Sequence, residues 1–272
     1  MKSPFAIVLA AASTLAIAHA PDAYLTPAFH VGARFDNVFS RTIAYHAAGY
    51  DDHVRRVSGS ASYTVLGAAT QPRLRIDYRY DGLQQGSGIV ELRDSGATSC
   101  FNGKCAPHTD ASGLAWNPRL WGTPPATLRV GLSWTVKIAA PWELGPAGTQ
   151  KVTVMALDPA DQRITLRREG WGDGAYLDDK LQTTLTRDGQ TWPVTVQPGR
   201  SHWYGYTTFR AGMVVSDELM AERPVILVSD KLGRISASQR EYILLNAMPP
   251  PSPLESKRPV KPPSPRSCGA LP

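Results

Sequence analysis

The residue types able to do chemistry fall in a few short runs. Tyr50-Asp51-Asp52-His53 sets two carboxylates beside an imidazole, with His46 close by. That is a metal-binding or proton-shuttling combination. A polar turn after Gly49 accounts for it equally. Gly170 to Asp179 holds three carboxylates, Asp173, Asp178 and Asp179, with Trp171 and Tyr176 among glycines. Oxygen-rich loops suit Ca²⁺, which makes the three aspartates the candidate metal ligands, though their spacing is not that of an EF-hand. Trp171 and Tyr176 are placed to stack on a sugar ring or cover a pocket; a hairpin loop with an aromatic plug is the plainer reading. Seven tryptophans are spread over the chain. Trp134, Trp192 and Trp203 fall in strand-like runs and are expected in the core. Trp116, Trp121, Trp142 and Trp171 fall near loops or strand ends, where aromatic side chains either bind ligands or close a sheet's open ends.

Nucleophilic chemistry finds no support. There is no G-x-S-x-G, and Ser133 in Gly131-Leu132-Ser133-Trp134 alternates with core residues, as a structural serine would. No catalytic residue and no cofactor is assigned. A polymer hydrolase would need Asp51, Asp52, Asp173, Asp178 or Asp179 to converge in a cleft.

The elements that must carry these residues follow a period of two. Arg73 to Tyr80 alternates apolar Leu74, Ile76, Tyr78 and Tyr80 with charged residues, and Thr127 to Ile138 alternates throughout. Both patterns predict half-buried strands. Shorter runs follow, separated by Asp81-Gly82, Ser95-Gly96, Asp158-Pro159, Asp188-Gly189 and Pro198-Gly199. Turns this short force antiparallel pairing. Helical signal is sparse. Ser216 caps a short turn through Leu219-Met220 that stops before Pro224. Ser236 with Gln239 resembles a capping box, although Tyr242 to Leu245 suits a last strand as well. The expected fold is all-β: a mainly antiparallel curled sheet (half-barrel, barrel or sandwich) with little helix. About ten strands in one twisted sheet tend to curl or split.

The chain's ends carry separate messages. Lys2, an apolar stretch from Phe5 to Ala18 and small residues in A-x-A spacing predict a bacterial-type signal peptide over 1–18, hence export to the periplasm or medium. Export lets Cys100 and Cys105, which flank Asn102-Gly103, be read as a disulfide across a hairpin. Cys268 is left over. Residues 249–272 hold nine of the 23 prolines and +3 of the +6 net charge. They predict a solvated basic tail after a single near-neutral β domain over 19–248. That balance and the absence of a basic stripe argue against nucleic acid, and no transmembrane span is expected after signal cleavage. The outline of an exported antiparallel sheet with a concave face resembles that of periplasmic half-barrel lipid or lipoprotein carriers. The resemblance is one of fold class and transfers no residue. It implies a non-enzymatic protein binding an apolar or amphipathic ligand, a lipid, a glycan or another envelope component. An envelope-polymer hydrolase and a structural adaptor are the alternatives.

Overall fold

The computed structural model describes residues 20–248, apart from 69–70, 82–83, 94–95, 102–103, 109–113, 140–141, 143, 146 and 173–180. The signal segment, the proline-rich tail with Cys268, and Asp173, Tyr176, Asp178 and Asp179 lie outside the described residues.

The fold is nearly all β. Among the described residues, two four-residue helices, α1 (Asp22–Leu25) and α2 (Pro118–Trp121), accompany fourteen strands. These are β1 (Arg34–His46), β2 (His53–Gly67), β3 (Arg73–Tyr80), β4 (Gln84–Arg93), β5 (Gly96–Phe101), β6 (Lys104–His108), β7 (Ser133–Ile138), β8 (Gly148–Asp158), β9 (Arg163–Gly172), β10 (Gln182–Arg187), β11 (Gln190–Pro198), β12 (Ser201–Arg210), β13 (Met213–Ser229) and β14 (Gly233–Ala247). All pairings are antiparallel. They join in the order β6-β5-β4-β3-β2-β1-β14-β13-β12-β9-β8-β7, so the sheet is open, with β6 and β7 at its two ends.

The sheet branches on β13. Its first half pairs with β12 as far as His202↔Glu222, and its second half pairs with β11 from Pro198↔Val225. Pro224 sits at the fork. Its carbonyl accepts from the Gly199 amide at 2.8 Å. A strand residue points its amide and carbonyl toward the same neighbour, so the N–H that proline lacks would have faced the gap between β12 and β11. The short helix expected at 216–220 is therefore strand. The Ser236 to Asn246 stretch is strand too: the capping-box pattern loses to continuous pairing of β14 with both β13 and β1.

One face of the sheet carries the core in three hydrophobic clusters. The first lies on β7, β8, β9, β12 and the first half of β13, roofed by α1 and α2. The second lies on β2, β3 and β4 under Leu114 and Ala115. The third joins Tyr45 and Ala47 to Leu185, Val194, Val196, Val225 and Leu227. In this third region the β10–β11 hairpin folds across to the start of β2. The Asp51 amide donates to the Thr186 carbonyl at 2.8 Å, and Thr184 Oγ1 meets His53 Nδ1 at 3.3 Å.

Two further sequence expectations need correction. The strand read over Thr127–Ile138 is only its second half, β7. Gly131 adopts φ +84°, so the chain turns there and Val130 is left 58% exposed while Leu128 is fully buried. The glycines of Gly170-Trp171-Gly172 serve packing, not loop geometry. A Cβ on Gly148 or Gly170 would sit 2.5 or 2.6 Å from the Trp203 indole, so these positions seat the buried ring.

Candidate ligand-binding site

The aromatic candidates part company in the structure. Trp121 is 1% exposed and Trp142 5% exposed. Trp116 stacks on Trp121 with ring centres 5.8 Å apart, and both meet Phe209. Trp142 packs edge-on against Trp203 at 4.9 Å. These rings build the first cluster. Of the loop-proximal tryptophans, only Trp171 projects from the opposite face, 49% exposed. It stacks on His202 at 4.0 Å, with the Arg200 guanidinium 5.3 Å from its centre. Trp134 and Trp192, expected in the core beside Trp203, are only half-buried.

The acidic candidates that are described do not converge. Asp52 pairs with the His46 imidazole at 2.6 Å, both well exposed, while Asp51 contributes its backbone to the contact with β10. His53 faces Thr184. Among the described residues no three His, Cys, Asp or Glu side chains gather as metal ligands. Ser133 Oγ bonds Thr153 Oγ1 at 2.8 Å across β7 and β8, a structural contact. Cys100 and Cys105 are bonded to each other and stand directly opposite in the β5–β6 register.

The chemistry is concentrated instead on the inner face, in the middle of the sheet. Register alone assembles it. One row across the strands reads His53, Tyr45, Gln239, Arg223; the next reads Arg55, Ile43, Glu241, Ala221; the third reads Val57, Arg41, Ile243, Leu219. Polar and charged side chains thus occupy the inward phase of β1, β2, β13 and β14, where the flanking positions are core residues. Ile243 and Leu219 belong to the first cluster, Tyr45 and Val225 to the third, and Phe39 and Tyr78 pack on the second. The charges sit where the three clusters meet.

Glu241, 2% exposed, is shared by two guanidiniums. Arg41 contacts its Oε1, and Arg223, itself 3% exposed, reaches its Oε2 at 3.4 Å. Arg41 is 31% exposed and Arg55 lies open to solvent. The patch therefore has a deep side on β13 and β14 and an open side on β1 and β2. Tyr45 lies within the field of all four charged groups. Its hydroxyl is held above the ordinary tyrosine value, chiefly by burial; Glu241 adds to the shift, while Arg223, Arg41 and Arg55 oppose it. Gln239 is 4% exposed, and its Oε1 has no hydrogen-bond partner among the described residues. An orphaned buried acceptor of this kind is costly unless something else satisfies it. The arrangement supplies cationic donors, one phenolic O–H and one open amide, beside half-buried Val57, Phe39, Tyr78 and Tyr80. It is equipped to hold a ligand with a polar end and an apolar end.

Arg41, Arg55, Arg223 and Glu241 were not singled out from sequence, and Gln239 entered only as a capping residue. The signal that would have found them is a charge in the apolar phase of a strand: Glu241 in Ile235-x-Ala237-x-Gln239-x-Glu241-x-Ile243, and Arg41 between Phe39 and Ile43.

No family model matches the chain, and no curated protein matches it. Among solved structures it is similar to lipovitellin, from work on that protein's lipid–protein interactions, at 10% identity and a TM-score of 0.39. That match covers 82% of this chain and 26% of that one, so the chain spans about a quarter of that protein's length. It is also similar to DynF of the dynemicin biosynthesis pathway of Micromonospora chersina (5% identity, TM-score 0.25, 88% of each chain). A third similar structure is a protein of unknown function from the DUF3598 family in Nostoc punctiforme (10% identity, TM-score 0.17, 82% of this chain and 97% of that one). At these values the likenesses carry no functional argument.

Proposed function

We propose that the chain is an exported, non-enzymatic β-sheet protein that holds an apolar or amphipathic ligand, such as a lipid or other envelope component, against the inner face of its sheet. The observation that carries the reading is the patch on β1, β2, β13 and β14. Buried charges and an amide whose oxygen has no partner among the described residues stand at the junction of three apolar clusters, and one side of that junction is open. A face meant only for packing would be filled there by apolar side chains, because buried polar groups cost stability when their partners are incomplete. Export is supported by the N-terminal pattern and by the Cys100–Cys105 bond, since disulfides persist in oxidising compartments. Among the described residues, no helix is long and apolar enough to cross a membrane.

Native mass spectrometry of protein purified gently from its own compartment tests the reading. The expected result is a co-purifying mass in the lipid range that gentle collisional activation removes. Thermal stability should then fall on delipidation and recover with added amphiphile. Consistently ligand-free protein whose melting is unmoved by any amphiphile would sink the proposal.

A further inference from the structure

Resting on the inner-face reading above, we infer that the ligand is an anionic single-chain amphiphile. Its carboxylate or phosphate head meets Arg41, Arg55 and Arg223, and its chain runs along the sheet past Val57 toward Phe39, Tyr80 and Tyr78. Charge is the first argument. Among the described residues, the register gathers three guanidiniums, Arg41, Arg55 and Arg223, around one carboxylate, Glu241. Glu241 is already engaged by Arg41 and Arg223, and Arg55 has no ion-pair partner among the described residues. A planar guanidinium matches a carboxylate or phosphate in both shape and charge. A cationic head would be repelled here, and a neutral head would leave the exposed Arg55 guanidinium without a counter-charge among the described residues.

Polar satisfaction is the second argument. The Gln239 amide offers one terminal atom without a partner, 4% exposed and next in register to both Tyr45 and Arg223. An oxygen-rich head gives that amide and the Tyr45 O–H something to bond. Because amide orientation is interchangeable, Gln239 can present either its N–H₂ or its oxygen to the head.

The third argument is direction. The row below the charges is Phe39, Gly59 and Tyr80, and the next is Asn37, Ala61, Tyr78 and Gly86. The two glycines let the rings lie down on the sheet: Phe39 Cζ is 2.8 Å from where a Gly59 Cβ would stand, and the Tyr78 hydroxyl is 2.6 Å from that of Gly86. Phe39 and Tyr78 each meet the Tyr80 ring edge-on, at 5.5 and 5.6 Å. The result is a half-buried aromatic floor that starts beside the arginines. From Arg55 to Ala61 the strand advances about 20 Å. That length suits an acyl chain laid along β2.

Calorimetric titration with four ligands of one chain length tests the inference, each below its micellar concentration and in about 0.15 M salt, where surface charges are screened. Dodecanoate and dodecyl phosphate should both bind. Dodecanol should bind about tenfold more weakly, and dodecyltrimethylammonium not measurably. Arg55→Gln and Arg41→Gln should each weaken both anions about tenfold and leave dodecanol unchanged. Dodecanol binding as tightly as dodecanoate, or anion affinities unmoved in both variants, would overturn the head-group assignment while leaving the inner-face reading intact. Failure of all four ligands would overturn both, as would a dimer in sedimentation that buries this face and ignores added anion.

Discussion

Arg168 and Glu241 are both charges that the same face of the sheet keeps from water, and their surroundings differ in a way that separates scaffold from site. Arg168 is fully buried. One of its terminal nitrogens bonds both oxygens of Asp217 at 2.7 and 2.8 Å, its guanidinium lies 5.2 Å from the Trp121 ring centre, and Thr207 donates a third hydrogen bond to Asp217. Among the described residues this cation meets one anion, and the pair is enclosed by α2 and the first cluster. Glu241 stands among three arginines, two of them reaching toward solvent. Both networks required the sequence to place charges in the inward phase of strands. Among the described residues, the second alone reaches solvent and holds more cations than anions. A closed pair is best explained by the uniqueness of packing it imposes, whereas an open, unbalanced set is explained by something that completes it.

The contrast can be broken at either network. The largest effect is expected at the closed one. Asp217→Asn leaves the Arg168 cation buried opposite a neutral amide and should cost about 3–5 kcal/mol in denaturant unfolding, with or without ligand. A loss under about 1 kcal/mol would show that the pair is not sealed. At the open network, Arg55→Gln should change stability by no more than about 0.5 kcal/mol, because the side chain is exposed and unpaired among the described residues. A large loss would make Arg55 part of the scaffold and erase the distinction. The smallest effect concerns Tyr45. Its hydroxyl keeps its proton to higher pH in the folded chain than in the unfolded one. That contribution is fully present below the ordinary tyrosine value of about 10 and is lost as pH rises from there through the folded value. Tyr24 and Tyr242 are shifted the same way, mainly by burial. Tyr45→Phe should therefore make the alkaline fall in stability shallower without abolishing it. An unchanged slope would mean that the Tyr45 hydroxyl is not desolvated.

How far the chain could be read in advance depended on whether a feature is local. The alternation in Arg73 to Tyr80 is a property of one segment, and it became β3 with Leu74 and Ile76 in the core. The Cys100–Cys105 pair needed only a hairpin between two thiols. The curled antiparallel sheet followed from many strands joined by short turns, whereas its open edges at β6 and β7 did not. Pro224 misled because its tolerance depends on a fork between β12 and β11 that no local pattern encodes. Gly131 misled because alternation on both sides of a turn is indistinguishable from one unbroken strand. The site was illegible for a related reason. Arg41, Arg55, Arg223, Gln239 and Glu241 lie on four strands, and they become neighbours only through the register of β2 on β1, β1 on β14 and β14 on β13. Tryptophan count pointed elsewhere, because most of those rings were needed to fill the first cluster.

Glu241→Gln distinguishes a scaffold from a site most directly, with unfolding and dodecanoate titration performed on the same preparation. Removing the internal anion strips Arg41 and Arg223 of their shared partner, so the ligand-free protein should lose stability, by about 3–5 kcal/mol if the group behaves as a buried partner. The same change leaves three cations for an incoming head, so dodecanoate should bind more tightly than to the unsubstituted protein, and saturating ligand should restore about 2.7 kcal/mol at a hundredfold excess over the dissociation constant. Stability falling while affinity also falls or stays level would contradict the account, and would make Glu241 a second closed pair like Asp217.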